Sequence, residues 1–391
     1  MPAQVVWARH PEPAMAIRLS PSPIRTFTRR ALLAVAACVG LLAASTAPQV
    51  APPASAAPAP IEVYGAWHCS NDYCTWGTVR SAAAFDQANH WLIDRGAGAG
   101  PSVNLVVLSF VNPLKLLNQT TDAATLNGVP RGMTPEIVRY FTDAGIRVMV
   151  SIGGITYTDA WNAALAQDAS RLGQRAAAMA TALGVGVEID YEQNADPNLV
   201  GLQAFIDAYR AVHPYDATGA SPAARLTIDL AAGDRWLIAL TRKATADWLR
   251  TDVPVLDYAN AMVPARQPRS AADAQANWQE HVDGKSQYSP KIPPLAPAKF
   301  TGGLYVALGG KPLPECVNYA QSLQKATAPF VQSVASRINT SPGMLGYMFW
   351  AAERPSTRGI GTVPPNTCEG GMGAAASTLA IPVPMKPLRQ Q

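Results

Sequence analysis

The sequence predicts an α/β fold of the (β/α)8 TIM-barrel class, and three observations carry that expectation. Eight short apolar runs recur along the chain, amphipathic stretches separate them, and several runs are apolar at consecutive positions. Consecutive apolar residues suit a strand covered by helices on one face and by a packed interior on the other. The runs lie at 62–67, 103–111, 146–152, 184–191, 225–232, 256–263, 303–308 and 344–351. Helical segments are expected at 79–95, 134–144, 158–182, 198–211, 236–249, 270–282 and 317–338. Thr134-Pro135-Glu136 is a clear helix start, with a capping threonine, proline at the first helical position and an acid in the first turn. A doubly wound open sheet is the rival, but no G-x-G-x-x-G follows the first run. The seventh run ends eight residues before Cys316, which leaves no room for a sizeable inserted domain. A single-domain barrel with an open groove at its top is expected.

The 391 residues are 48% apolar and only 15% charged, which excludes charge-driven disorder and a coiled coil. The formal charge of +4 arises before Ser55, where five arginines face one acid; the remainder holds 26 basic and 26 acidic residues. A neutral body has no electrostatic footprint for nucleic acid. Residues 31–44 are an apolar run behind Arg29-Arg30, too short to span a bilayer and shaped like a signal-peptide core. Cleavage could follow Ala47 or Ala56, and the paired arginines resemble a twin-arginine signal, so Sec and twin-arginine export both stay open. A lipoprotein box ending at Cys38 is disfavoured, because apolar sequence continues past it. The expected organisation is a signal peptide and the start of a Pro/Ala linker over 1–56, the barrel over 57–369, and a Gly/Ala/Pro-rich tail over 370–391. A secreted, extracellular monomer without membrane attachment follows. Four cysteines remain, Cys69, Cys74, Cys316 and Cys368, and an even number in an exported chain suggests disulfides. Of three pairings, proximity favours Cys69–Cys74 with Cys316–Cys368; zinc is disfavoured, since the C-x4-C spacing has no second pair.

The fourth run carries the chemistry. Residues 184–192 read GVGVEIDYE, so Glu188, Asp190 and Glu192 project to one face and Val185, Val187, Ile189 and Tyr191 to the other. In a barrel the acids line the interior and rise toward the C-terminal mouth. Three carboxylates there repel one another and resist desolvation, which raises at least one pKa. An edge strand with solvated acids is the bland reading, and the apolar residues around the acids oppose it. A Mg²⁺ or Ca²⁺ site is a second rival, but no nearby His or Asn completes a coordination sphere.

These residues resemble the signature of glycoside hydrolase family 18, the chitinases and endo-β-N-acetylglucosaminidases, written D-G-x-D-x-D-x-E. The chain reads Val185-Gly186-Val187-Glu188-Ile189-Asp190-Tyr191-Glu192, and Ser151-Ile152-Gly153-Gly154 is similar to the family's preceding S-x-G-G motif. Residues 104–110 resemble the family's apolar second strand ending in phenylalanine, and residues 346–350 its eighth, which ends here in Trp350. The resemblance covers about residues 62–352. It implies that Glu192 is the general acid, that Asp190 supports the substrate's acetamido group, and that Glu188 completes the catalytic set. It implies substrate contacts from Trp350, Tyr191, Asn260 and Met262, with Ser151, Gly153 and Gly154 structural at the barrel mouth. The implied activity is retaining, substrate-assisted hydrolysis of β-1,4-linked N-acetylglucosamine in chitin or chitooligosaccharides, with no cofactor and no metal. An endo-β-N-acetylglucosaminidase on N-glycans and a catalytically silent sugar-binding protein are the alternatives.

Three positions depart from the family pattern. Val185 replaces the first Asp and Glu188 the middle one, and aligning Asn260–Met262 with the sixth strand puts Pro264 where a tyrosine hydroxyl usually holds the acetamido group. Tyr258, Tyr305 and Tyr347 are candidate substitutes. His68, His90, His213 and His281 are expected at the surface or behind the site, and Trp76, Trp161, Trp236 and Trp278 mostly in the core.

Overall fold

Eight parallel strands close on themselves in the order β1-β10-β9-β8-β7-β6-β5-β2. The computed structural model describes residues 63–70, 72, 74–94, 101, 103–231, 236–262, 278–305, 344–350 and 352. All belong to the unit Ala56–Gln391, which is distinct from Met1–Ser55. The expected leader, the linker, the 317–338 helix, Cys316, Cys368, Pro264 and the tail lie outside the described residues. The strands are β1 Val63–His68, β2 Leu105–Val111, β3 Thr125–Leu126, β4 Val129–Pro130, β5 Arg147–Gly153, β6 Gly186–Asp190, β7 Leu226–Ala231, β8 Ala259–Met262, β9 Phe300–Tyr305 and β10 Gly346–Trp350. Each of the eight apolar runs overlaps one barrel strand, though β9 begins three residues before the 303–308 run, and β3–β4 is a separate antiparallel hairpin.

Strand residues alternate between two apolar layers. Val106, Leu108, Val148, Val150, Val187, Ile189, Leu226 and Ile228 face the helical layer, while Val63, Trp67, Leu105, Val107, Met149, Tyr258, Leu345 and Met348 form a second cluster inside the barrel. Burying one such side chain stabilises the fold by about 1.5–3 kcal/mol. This double burial is why the runs read as apolar rather than alternating.

The helices are α1 Ala82–Ile93, α2 Pro113–Leu117, α3 Pro135–Thr142, α4 Thr158–Leu183, α5 Leu199–Val212 and α6 Ile238–Lys243. Thr134 caps α3 as expected, its side chain accepting from the Ile137 N–H. The 236–249 segment is helical over Ile238–Trp248, as α6 to Lys243 and a π-helical turn over Ala244–Trp248. Of the 270–282 segment, only its last residues are described.

Two local features escape a periodicity reading because they are too short. The first is α2, started by an Asn112 cap with proline following. The second is the β3–β4 turn at Asn127-Gly128, where φ is +51° and +81°. That is the left-handed pair an Asn-Gly hairpin turn adopts. A Cβ at Gly128 would stand 2.3 Å from the Lys115 carbonyl oxygen, so the turn packs directly on α2.

α4 is two helices joined at Asp168, whose φ of −166° and ψ of 86° are extended. The Asp168 side chain accepts from the Arg171 N–H at 2.9 Å and so caps the second half. That half then packs on α5 so closely that a Cβ at Gly173 would lie 2.3 Å from the Phe205 carbonyl oxygen. Asp168→Ala is expected to cost about 1 kcal/mol, read as a lower urea midpoint at unchanged m-value.

Candidate active site

The inner face of β6 carries Glu188 and then Asp190, and Glu192 follows as the chain leaves the barrel. Their exposure rises in that order, 0%, 3% and 9%. Across the ladder Ser151 pairs with Glu188 and Gly153 with Asp190 on the β5 side, and Thr227 pairs with Glu188 on the β7 side. The next inward residue of β7 is Asp229, which pairs with Asn260 of β8. A fourth carboxyl therefore joins the three acids of β6.

Glu188 is fixed from strands far around the barrel. The Trp67 indole Nε1 donates to its Oε1 at 2.7 Å, and Asn260 Nδ2 donates to its Oε2 at 2.5 Å. Thr301 Oγ1 donates to Asn260 Oδ1 at 2.6 Å, which sets the amide orientation. The pKa of Glu188 is raised by burial, opposed by Trp67, Asp229, Ser151 and Asn260. Asp190 is pushed well above the usual carboxylate range by burial and then by the charges of Glu192 and Glu188. Asp229 is pushed well up in the same way, by burial and by the neighbouring Glu188 and Asp190. Glu192 is raised to about 7 by burial, against the Ile155 backbone N–H and the Asp190 side chain, which lower it. The outermost acid thus exchanges its proton near neutrality.

The glycines of Ser151-Ile152-Gly153-Gly154 set how closely β5 meets β6. Gly153 has φ +122°, and a Cβ there would stand 1.9 Å from the Asp190 carbonyl oxygen. That oxygen accepts from the Gly154 N–H at 3.0 Å and from the Trp161 Nε1 at 3.0 Å. Both neighbours of Asp190's peptide therefore depend on a residue without a side chain. Ser151 lies inside the barrel beside Glu188, fully buried.

Trp350 ends β10 at the same mouth and is partly exposed. It stacks on Phe110 with ring centroids 5.5 Å apart and planes 22° apart, and lies 6.2 Å from the Trp67 ring. The indole that holds Glu188 thus also touches this platform.

Several sequence expectations need correction. Tyr191 is not a substrate contact: its ring is buried on the helical side against Trp161, and its hydroxyl donates to Asn162 Oδ1 and accepts from the Asn198 N–H. Strand alternation forces this, because Tyr191 has the opposite parity to the acids. Asn260 faces inward, but both ends of its amide are committed to Glu188 and Thr301, so it acts through the acid. Met262 ends β8, half-buried against the main core. Tyr258 does not reach the mouth; its hydroxyl lies 3.9 Å from the Met149 sulfur, inside the barrel. The side chains of Tyr305 and Tyr347 lie outside the described residues. His68 and His281 are core residues rather than surface ones, the former bonded to Asn89 and to the Ser70 N–H. Trp76, Trp161 and Trp278 are fully buried, as expected. Cys69 and Cys74 form the expected disulfide directly after β1. Among the described residues no three His, Cys, Asp or Glu side chains are arranged to hold a metal ion.

Asp229, Trp67 and Thr301 went unnoticed in the sequence. The signal for Asp229 was present, since Leu226, Ile228 and Leu230 alternate with Thr227 and Asp229. Trp67 and Thr301 carry no such mark: barrel closure brings Trp67 of β1 to Glu188, and Thr301 of β9 reaches only Asn260, its neighbour on β8.

The fold is similar to solved chitinases. A GH18 chitinase from Pseudoalteromonas aurantia matches at 15% identity and a TM-score of 0.48, covering 74% of this chain and 93% of that one. A chitinase from Rhizomucor miehei matches at 13% and 0.45, covering 80% and 98%. The Group IV chitinase of Ostrinia furnacalis in complex with allosamidin matches at 12% and 0.45, covering 81% and 97%. No protein-family model and no curated protein matches the chain.

The raised pKa of Glu192 has a consequence for stability. Between its ordinary 4.5 and about 7, the folded protein keeps a proton that the unfolded chain has released. Stability from this group is therefore present at low pH and lost as pH rises through that window. Urea unfolding at pH 5 and pH 7 should show wild type losing stability relative to Glu192→Gln across that interval.

Proposed function

We propose that the protein is a glycoside hydrolase of the chitinase type, cleaving β-1,4-linked N-acetylglucosamine with retention. The observation that supports this best is Glu192, a carboxyl at the barrel mouth raised to about 7, last in a row of inward acids and sharing the mouth with the Trp350 platform. A general acid must hold its proton near the working pH, and this environment keeps one there. Trp350 offers an apolar face on which a sugar ring stacks.

In this reading the carbonyl oxygen of the substrate's 2-acetamido group attacks the anomeric carbon. The bond to the leaving sugar breaks, and its oxygen takes the proton of Glu192. The product is an oxazolinium ion, whose positive charge lies beside Asp190. Glu192, now a carboxylate, takes a proton from water as that water's oxygen adds to the anomeric carbon. The amide re-forms and the configuration is retained. Glu188 is a positioning residue, held by Trp67 and Asn260 and lending negative charge beneath Asp190. No cofactor enters. Export fits this activity, and the apolar run 31–44 and the Cys69–Cys74 disulfide support it.

Turnover of chitin oligosaccharides, followed by product masses, tests the reading. Wild type should cleave, Glu192→Gln should lose at least about a hundredfold, and kcat should fall as pH rises through about 7. Binding without cleavage by wild type would make the protein a sugar-binding relative. If neither occurs, cleavage of N-glycan cores is the reading to try next.

A further inference from the structure

Glu192 is the one acid of its row that lies beyond the sheet. The β5 ladder ends with Gly153 opposite Asp190, and the β7 ladder ends with Ile189 opposite Ile228. Past Asp190 the chain runs without regular structure to Asn198, the cap of α5. Asn194, Ala195 and Asp196 in this stretch are exposed, yet Glu192 is buried. Something other than strand pairing keeps the outermost acid in place.

The restraint comes from the neighbouring side chain, on the helical side. Tyr191 is fully buried against Trp161, with ring centroids 5.6 Å apart. Its hydroxyl donates to Asn162 Oδ1 of α4 at 2.5 Å and accepts from the Asn198 N–H at 3.0 Å. The first bond directs the hydroxyl hydrogen and leaves a lone pair for the second. The side chain that opens the loop thus clasps the backbone that closes it. That closing residue is itself fixed, because Asn198 Oδ1 accepts from the Gly201 N–H at 2.8 Å. Gln193, on the acid's other side, bonds inside the loop, accepting from the Ala195 N–H at 3.0 Å. Asn194 Oδ1 accepts from the Leu237 N–H at 2.7 Å and ties the middle of the loop to the start of α6. Toward the mouth, the Ile155 N–H donates to the Glu192 carboxyl.

We propose that the Tyr191 hydroxyl is a positioning group for the general acid, acting through the exit loop and not on substrate. By closing residues 191–198 into one turn and holding that turn to α4, it sets how far the Glu192 carboxyl reaches over the mouth. The inference rests on the glycosidase reading, which makes Glu192 the acid. An acid acts on the bond that breaks, so a displaced one lowers kcat while the contacts that set KM persist. A looser loop also admits water to the carboxyl, and water favours its charged form. Glu192 then holds its proton less tightly.

Cleavage of chitin oligosaccharides across pH, with wild type beside Tyr191→Phe, is the test. The substitution keeps the ring against Trp161 and removes the hydroxyl. We expect kcat to fall about tenfold with KM within about twofold, and the alkaline limb of the kcat profile to move below about 7. Asn162→Ala, which takes away the hydroxyl's acceptor, should act in the same direction on both. Tyr209→Phe is the control, since that hydroxyl donates to the Ala223 carbonyl before β7, at the opposite end of the barrel. It should lower the urea midpoint and leave kcat and the limb unchanged. An unaltered kcat in Tyr191→Phe overturns the proposal, whatever its urea midpoint, and so does a loss carried by KM alone. Those results require a wild type that cleaves; absence of cleavage by wild type would instead remove the glycosidase reading, and the proposal with it.

Discussion

Everything at the mouth of this barrel depends on how the Glu188 carboxylate is kept inside a protein. A fully buried carboxylate is tolerated only when donors replace its water. Here they come from β1 and β8, and the second is itself oriented by β9. Ser151 and Asp229 on the flanking strands add to them, and closure of the sheet is what brings the Trp67 donor from β1. The donors hold Glu188, and its charge helps keep the protons on Asp190 and Asp229. The outermost acid then sits where a proton is retained at neutral pH but still exchanges with solvent.

A second constraint is steric rather than electrostatic. The carbonyl of Asp190 is gripped by the Gly154 N–H and by Trp161 from the α4 side, and the space for that contact is the missing side chain of Gly153. The peptide bearing the middle acid is thereby tied to both the neighbouring strand and the helical layer. A side chain at Gly153 would push β5 and β6 apart where the acids must stay in register.

Much of this was legible in the sequence. The eight apolar runs marked all eight strands, because burial on two faces leaves a compositional trace that does not depend on partners. The row Glu188, Asp190, Glu192 was legible for the same reason, since a period of two places all three on one face. The partners of those acids were not legible. Trp67 is hydrogen-bonded across the barrel and Thr301 acts from the neighbouring strand of Asn260, and nothing local distinguishes such a tryptophan from one in a core. Tyr191 was misassigned although its parity was visible, because a motif reading treats adjacent residues as one site while a strand sends them to opposite faces. Asp229 lay between, marked by alternation in its own strand but lacking a motif to draw attention to it.

Trp67 has two faces in this arrangement, an N–H spent on Glu188 and a ring against Trp350. One side chain therefore joins the surface on which a sugar would rest to the anion at the bottom of the acid stack. The two cannot be tuned separately. A change that reshapes the platform to admit a different ring also moves the donor that steadies Glu188, and so alters proton affinity along the whole row. In such a molecule, drift in ligand preference and drift in working pH would be inherited as one trait.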